Sequence, residues 1–256
     1  MACPGVEVCD GFDNDGDATI DFRDCGPGLE LWYRFEEASG PVIDSSGNGH
    51  DGVPLGGPMQ GLPGAIGNEI GLNPATAGGD DSVETTGLLI DAAAGFTLEL
   101  FHGVISDPGG CAIDMASDPT DPATFDFYLA YDHTANTWSS VIYDDAGVSA
   151  GYLGPSLVDD GLSHHHVAMT WDGAVLATFV DGLEVASQTF LGFDAGVFSG
   201  TLFLAPLDVN CANRFASYFD ELKIWSVART EAEVCGDAHG TYSLGPPASC
   251  AGIPAP

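Results

Sequence analysis

Three observations predict an all-β fold, a sandwich or barrel. Short runs alternate apolar and polar residues, turn residues separate them at near-regular spacing, and helical periodicity is almost absent. The first run is LELWYRFEE (29–37), apolar or aromatic at each odd position through Phe35. GFTLELFHGVIS (95–106), FDFYLAYD (125–132), WSSVIYDD (138–145), HHVAMTWDG (165–173), ATFVDGLEVASQTF (177–190), TLFLA (201–205) and SYFDELKIWSV (217–227) follow. Successive side chains of a strand point to opposite faces, so each run offers one face to a core. Val180-Asp181-Gly182-Leu183 predicts a tight hairpin of primed type, because Asp-Gly tolerates positive φ. Asp172-Gly173 marks another turn. One short helix is expected after Thr230, where Thr230-Glu231-Ala232-Glu233 has the capping-box pattern. Residues 1–27 form a separate acidic segment ending at Gly26-Pro27-Gly28, and 28–235 form the sandwich. Residues 236–256 read as a Gly- and Pro-rich tail held by a Cys235–Cys250 bridge.

Composition narrows the partners. Of 256 residues 45% are hydrophobic, enough for a core. Acidic side chains number 38 against 5 basic ones, for a net charge of −33. Such a surface repels nucleic acid and anionic lipid, which need Lys and Arg clusters. It attracts cations, which fits Ca²⁺ binding, a saline habitat, or both. No apolar run reaches the ~18 residues of a membrane span. Seven cysteines stand far apart with no CxxC pair, a spacing that suits disulfides of an oxidising compartment better than zinc. The expected bridges are Cys9–Cys25, Cys235–Cys250 and the long-range Cys111–Cys211. Cys3 is left over, for a free thiol, an inter-chain bridge or lipid attachment. Met1-Ala2-Cys3-Pro4 has no apolar run of a secretory leader, so a processed chain with an added start is expected.

Between Cys9 and Cys25 stand six aspartates and one basic residue, Arg23. Two carboxylates ~5 Å apart at an effective dielectric of ~20 oppose each other by roughly 3 kcal/mol. A divalent cation turns that repulsion into cohesion. Counted from Asp13, carboxylates occupy places 1, 3, 5, 9 and 12 (Asp13, Asp15, Asp17, Asp21, Asp24), with the Thr19 carbonyl at place 7. This is the oxygen order of an EF-hand loop, and it predicts Ca²⁺. Ala18 stands where a glycine usually turns that loop, and Asp24 replaces the usual Glu. The alternative is an acidic linker pinned by one disulfide. The segment resembles the Asp-rich repeats of thrombospondin type 3 modules, and similar segments in secreted myxobacterial-type proteins.

Three further stretches carry a second resemblance: LWYRFEEASGPVIDSSGNGHDG (31–52), DGLSHHHVAMTWDGAVLATFVDGLEVAS (160–187) and YFDELKIWSVARTEAEV (218–234). In this order they resemble the laminin-G-like, concanavalin-A-like jelly-roll domains of secreted bacterial proteins, over residues 29–235. Two departures are His164 in place of an aromatic and Val227-Ala228-Arg229 in place of Arg-Ala-Leu. Residues 107–124 read as an unfamiliar Asp- and Pro-rich insertion. The resemblance implies two antiparallel sheets of jelly-roll topology. It also implies a rim Ca²⁺ held by Asp44, Asn48 and Asp220, with carbonyls of Gly47 and His50. The Gly-rich loop offers hard oxygens in its own right, and the competing reading is a turn whose side chains bond its own backbone.

Catalytic signatures are sparse. Sugar hydrolysis needs paired carboxylates, and no E-x-D-x-x-E run places two on one strand face. Glu99 and His102 share a strand, and strict alternation turns the adjacent Asp220 and Glu221 to opposite faces. A lyase needs cations, and five basic residues leave only Arg34 and Arg214, with Tyr143, to imagine in a groove. His164 and His166 share a strand face, which fits either a packed strand motif or a metal. Trp138, next to the turn after Asp132, is the candidate for an exposed sugar platform. The expectation is a secreted or cell-surface, calcium-binding, non-enzymatic module that recognises carbohydrate or an extracellular protein. The alternatives are a structural subunit of an extracellular assembly, joined through Cys3 or strand edges as a homo-oligomer, and a carbohydrate-active enzyme.

Overall fold

A computed structural model describes residues 28–72, 81–93, 95–106, 110–116, 125–132, 137–154, 164–205, 216–244 and 246–253. The predicted Asp13–Asp24 calcium loop, Cys3, the Cys9–Cys25 bridge and Cys211 lie outside them. The strands run β1 (Leu29–Tyr33), β2 (Val53–Leu55), β3 (Met59–Pro63), β4 (Asn68–Leu72), β5 (Ser82–Thr85), β6 (Ile90–Asp91) and β7 (Phe96–Ser106). Next come β8 (Gly110–Ala116), β9 (Phe125–Asp132), β10 (Thr137–Tyr143), β11 (Ser149–Leu153), β12 (His165–Trp171), β13 (Val175–Val180) and β14 (Leu183–Thr189). After β15 (Val197–Phe198), β16 (Thr201–Leu204) and β17 (Ala216–Trp225) the helix α1 (Glu231–Asp237) precedes β18 (Thr241–Ser243) and β19 (Ser249–Ala251).

The strands form two large antiparallel sheets, as a jelly-roll sandwich requires. The first runs β14-β13-β12-β7-β17-β4-β3, with β1 also paired to β17, and the second runs β11-β10-β9-β8-β16-β5-β2. Alternation sends Phe96, Leu98 and Leu100 of β7, Val167, Met169 and Trp171 of β12, and Phe127 and Leu129 of β9 into one shared core. Phe96, Phe127 and Phe198 meet there with ring centres 5.0–5.5 Å apart, tying both sheets to the short β15. Full burial of such a ring is worth roughly 1.5–3 kcal/mol.

Local signals hold where they were strongest. Val180 pairs with Leu183 across Asp181 (φ 50°) and Gly182 (φ 71°), both left-handed as a primed turn demands. Thr230 caps α1: its hydroxyl accepts the Glu233 N–H, and the Glu233 carboxylate accepts the Thr230 N–H. The Cys235–Cys250 disulfide is present, with Cα atoms 5.8 Å apart.

The 236–256 tail contains the hairpin β18–β19, which the expected disulfide holds against α1. Two expectations need correction. The supposed insertion contains β8, an interior strand of the second sheet between β9 and β16. Asp220 and Glu221 do not turn to opposite faces. Glu221 adopts φ 49° and the register with β7 shifts between Asp220 and Lys223, so a bulge inserts one residue and breaks the alternation.

Candidate functional site

The loop predicted to ligate a rim cation is tied by amides. Asp44 Oδ1 accepts the N–H groups of Trp32 (3.1 Å) and Ser46 (2.9 Å), and Oδ2 accepts those of Gly49 and His50 (3.0 Å each). Positive φ at Gly47 (83°) and Gly49 (85°) curls the chain so that these amides converge. Asn48 donates its amide to the carbonyls of Leu29 and Glu30, and the Tyr33 hydroxyl donates to the His50 carbonyl. Four N–H groups thus bond the two carboxylate oxygens of Asp44 within the curled loop. Asp220 is held elsewhere, its Oδ2 accepting from Ile66 N–H at 2.8 Å. Among the described residues no three His, Cys, Asp or Glu side chains converge on a metal position.

The outward face of the first sheet is buried and charged. Glu99 accepts the Trp225 indole N–H at 2.8 Å, and His166 Nε2 lies 3.6 Å from its other oxygen. The bulge aims Glu221 at Trp32, whose indole donates at 2.7 Å, while Arg34 approaches the other Glu221 oxygen at 3.6 Å. Lys223, the sole lysine, is 1% exposed and sits 5.2 Å from the centre of the Trp32 ring. Arg229 covers Trp225 at 4.1 Å and binds Asp237 of α1 at 2.7 Å. Val234 of α1 packs with Ala168, Ala177 and Phe179. Burial pushes the Glu99 carboxyl up, with Asp237 adding to the rise and Lys223 opposing it. Burial also takes Asp220 up to about 9, helped by Glu221, and takes His166 down to about 3. The sequence-flagged Glu99, Asp220 and Glu221 are therefore gathered, beneath cover and not in an open groove.

The three consecutive histidines divide between the faces. His164 reaches over Gly103, where a Cβ would lie 2.7 Å from its ring, and places Nε2 2.6 Å from Glu69. His165 turns away and meets Asp181 at 2.9 Å. His102 takes the core side of β7, bonded to the Ser217 hydroxyl at 2.9 Å, and burial lowers its pKa to about 3.

The outward face of the second sheet is the more open surface. Trp138 does not belong to it: it is 4% exposed and packs in the core, 4.9 Å from His102 and 5.1 Å from Tyr131. It shares parity with the buried Ser140 and Ile142, and position beside a turn did not override that parity. The opposite parity brings out Ser139 and Tyr143 of β10 and Asp126, Tyr128 and Ala130 of β9, while Val141 on the same side is buried. Register places Tyr128 opposite Val141, with Gly151 beyond, and aligns Phe203 with Glu84 and Val53. Tyr128, Tyr143 and Phe203 are partly exposed, and the Tyr128 and Tyr143 rings lie 6.3 Å apart. Asp126 is one register step beyond the Ile142–Phe127 pair, beside Tyr143. Its Oδ2 accepts from Ser199 and Gly200 N–H, and burial raises its pKa. At Gly151 a Cβ would lie 2.6 Å from Val141, so glycine keeps the face shallow there. Exposed Leu153 and Val53 stand on the two edge strands. The alternation of FDFYLAYD and WSSVIYDD carried the signal for Tyr128 and Tyr143, because neither shares the parity of its core-facing neighbours.

The paired sheets, the V-D-G hairpin and the closing strand before a capped helix coincide with a laminin G family model matching residues 77–235. The chain belongs to the concanavalin A-like lectin/glucanases superfamily. No curated protein matches this superfamily member in sequence. Among solved structures it is similar to the binding domain of Paraclostridial Mosquitocidal Protein 1, with 14% identity and TM-score 0.64 over 81% of this chain and 51% of that one. It is also similar to the botulinum neurotoxin serotype D ligand binding domain in complex with N-acetylneuraminic acid, with 11% identity and TM-score 0.62 over 81% and 49%. A botulinum neurotoxin type C structure, whose cell entry is described as dependent upon interaction with two ganglioside molecules, gives 10% identity and TM-score 0.64 over 81% and 50%. The chain spans about half the length of these structures. At such identities the likeness is one of fold.

Proposed function

We propose that this protein is an extracellular recognition module that binds glycan at a cell surface, across the outward face of its second sheet. The observation that carries this is the row of partly exposed rings, Tyr128, Tyr143 and Phe203, on an open sheet face. Flat rings pack against the C–H faces of sugars, and the phenol hydroxyls and neighbouring carboxylates supply hydrogen bonds. Tyr128 and Phe203 stand two strand spacings apart, roughly 10 Å, which suits a chain of sugars rather than one ring. Superfamily membership and the binding-domain neighbours support the same reading. Recognition is favoured over turnover because Glu99, Asp220 and Glu221 are covered. The Cys235–Cys250 disulfide supports an oxidising, extracellular setting. A glycan array tests the proposal. Binding that disappears in the Tyr128→Ala/Tyr143→Ala double variant is the expected result, and binding untouched by that change would remove this face from consideration.

In the same reading Ca²⁺ belongs to the leading segment, on Asp13, Asp15, Asp17, Asp21, Asp24 and the Thr19 carbonyl, and not to Asp44. A cation bound only by the folded form adds RT ln(1 + [L]/Kd) to stability. Chelator should therefore lower the melting temperature of the whole chain. A chain truncated before Gly28 should melt identically with and without chelator, and a chelator response in that truncated chain would return the cation to the sandwich rim.

A further inference from the structure

We propose that the glycan taken by the open face is cationic, an amino-sugar chain of glucosamine type with free ammonium groups, and not a sialylated or sulfated one. This rests on the recognition reading above and names the chemistry of its ligand. An acidic sugar needs Arg or Lys at the site. Among the described residues the cations are Lys223, Arg34 and Arg229. Lys223 is buried against Trp32, Arg34 faces Glu221, and Arg229 binds Asp237 and Glu233, all on the outward side of the other sheet or its helix. None belongs to the open face.

What that face offers is complementary to an ammonium group. Asp126 sits on the same strand face as Tyr128, two residues away, and one register step beyond the Ile142–Phe127 pair, next to Tyr143; its carboxylate is held there by the Ser199 and Gly200 N–H groups. Ring faces attract cations through their quadrupole. Glu84 lies next to Phe203 across β5 and β16, giving a second pairing of carboxylate and aromatic ring. The two carboxylates stand three strand spacings apart, roughly 15 Å, so a ligand that meets both spans several sugar units. The net charge of −33 draws a polycation from a distance and repels a polyanion.

Titration calorimetry on the full chain tests this with three probes: a fully deacetylated chito-oligosaccharide, its N-acetylated counterpart and sialyllactose. The deacetylated oligomer should bind, weakening as salt rises, and the N-acetylated one should bind about tenfold or more weakly. Sialyllactose should give no heat. Tyr128→Ala, which leaves the charge unchanged, and Asp126→Asn, which retains acceptors for Ser199 and Gly200, should each lower affinity for the deacetylated oligomer. Preferred binding of the N-acetylated oligomer or sialyllactose overturns the charge assignment and leaves glycan recognition standing. Affinity for the deacetylated oligomer that ignores Tyr128→Ala marks diffuse charge attraction and overturns the assignment as well. Silence with all three probes, together with an empty glycan array, overturns the recognition reading itself.

Discussion

On the first sheet the outward positions hold Thr97, Glu99, Asp220, Lys223 and Trp225, each no more than 1% exposed. On the second they hold Asp126, Tyr128, Tyr143 and Phe203, each in partial contact with water. Both sets arise from the same alternation, yet the polar set is covered and the aromatic set is not. A buried charge is tolerated only when paired, and the first face meets that demand in part: indoles donate to Glu99 and Glu221 and Arg229 binds Asp237, while Lys223 Nζ, Glu99 Oε2 and Glu221 Oε1 make no hydrogen bond among the described residues. On the second face Asp126 is held by the Ser199 and Gly200 N–H groups, and Tyr128, Tyr143 and Phe203 keep partial contact with water. Polarity alone does not locate a binding surface; the cover over the sheet does.

The largest test of this contrast is Lys223→Met. Removing the one ammonium beside Glu99 and Glu221 leaves buried carboxylates uncompensated, and about 3–5 kcal/mol should be lost in denaturant unfolding. A loss under ~0.5 kcal/mol would mean the layer is not held by charge compensation.

Next is the acid branch of stability. The folded pKa of His166 is lowered to about 3 by burial, below its unfolded value, so the unfolded chain gains protons first. This contribution is fully present above about pH 6.5 and is lost as pH falls toward 3. By pH 4.5 the loss amounts to roughly 3 kcal/mol. Glu99 and Asp220, with raised pKa values, act in the opposite sense: their contribution is present at low pH and is lost as pH rises through their folded values. His166→Gln should flatten the acid branch by about that amount, read as melting temperature against pH. An unchanged slope would show that His166 is already protonated in its site.

Smaller effects sharpen the comparison. Thr230→Ala removes the cap of the helix that covers the first face, and should cost about 1 kcal/mol in thermal unfolding. Tyr128→Ala should change stability by no more than about 0.5 kcal/mol while glycan binding falls. A stability loss as large as that of Lys223→Met would make Tyr128 a packing residue and erase the distinction between the faces.

Elements with strictly local causes were legible in the sequence. The Asp181-Gly182 turn, the Thr230 capping box, and the inward parity of Phe96, Leu98 and Leu100 need only neighbours a few residues away. The Glu221 bulge was not legible, because it exists to fit β17 against β7 and β1, strands far off in sequence. β8 was hidden by the Asp- and Pro-rich residues around it, and only pairing with β9 and β16 makes it a strand. The amides that bond Asp44 were not legible either, because they converge only once the chain has curled.

By itself, then, the sequence determined the long alternating strands, the turn chemistry, the acidity and the superfamily, since periodicity and composition are properties of the chain. Tertiary structure alone decided which outward face is covered, that Trp138 turns inward, and that Tyr128 and Tyr143 share an open surface. The physical reason is that burial depends on what packs from elsewhere, and alternation fixes only which residues share a side.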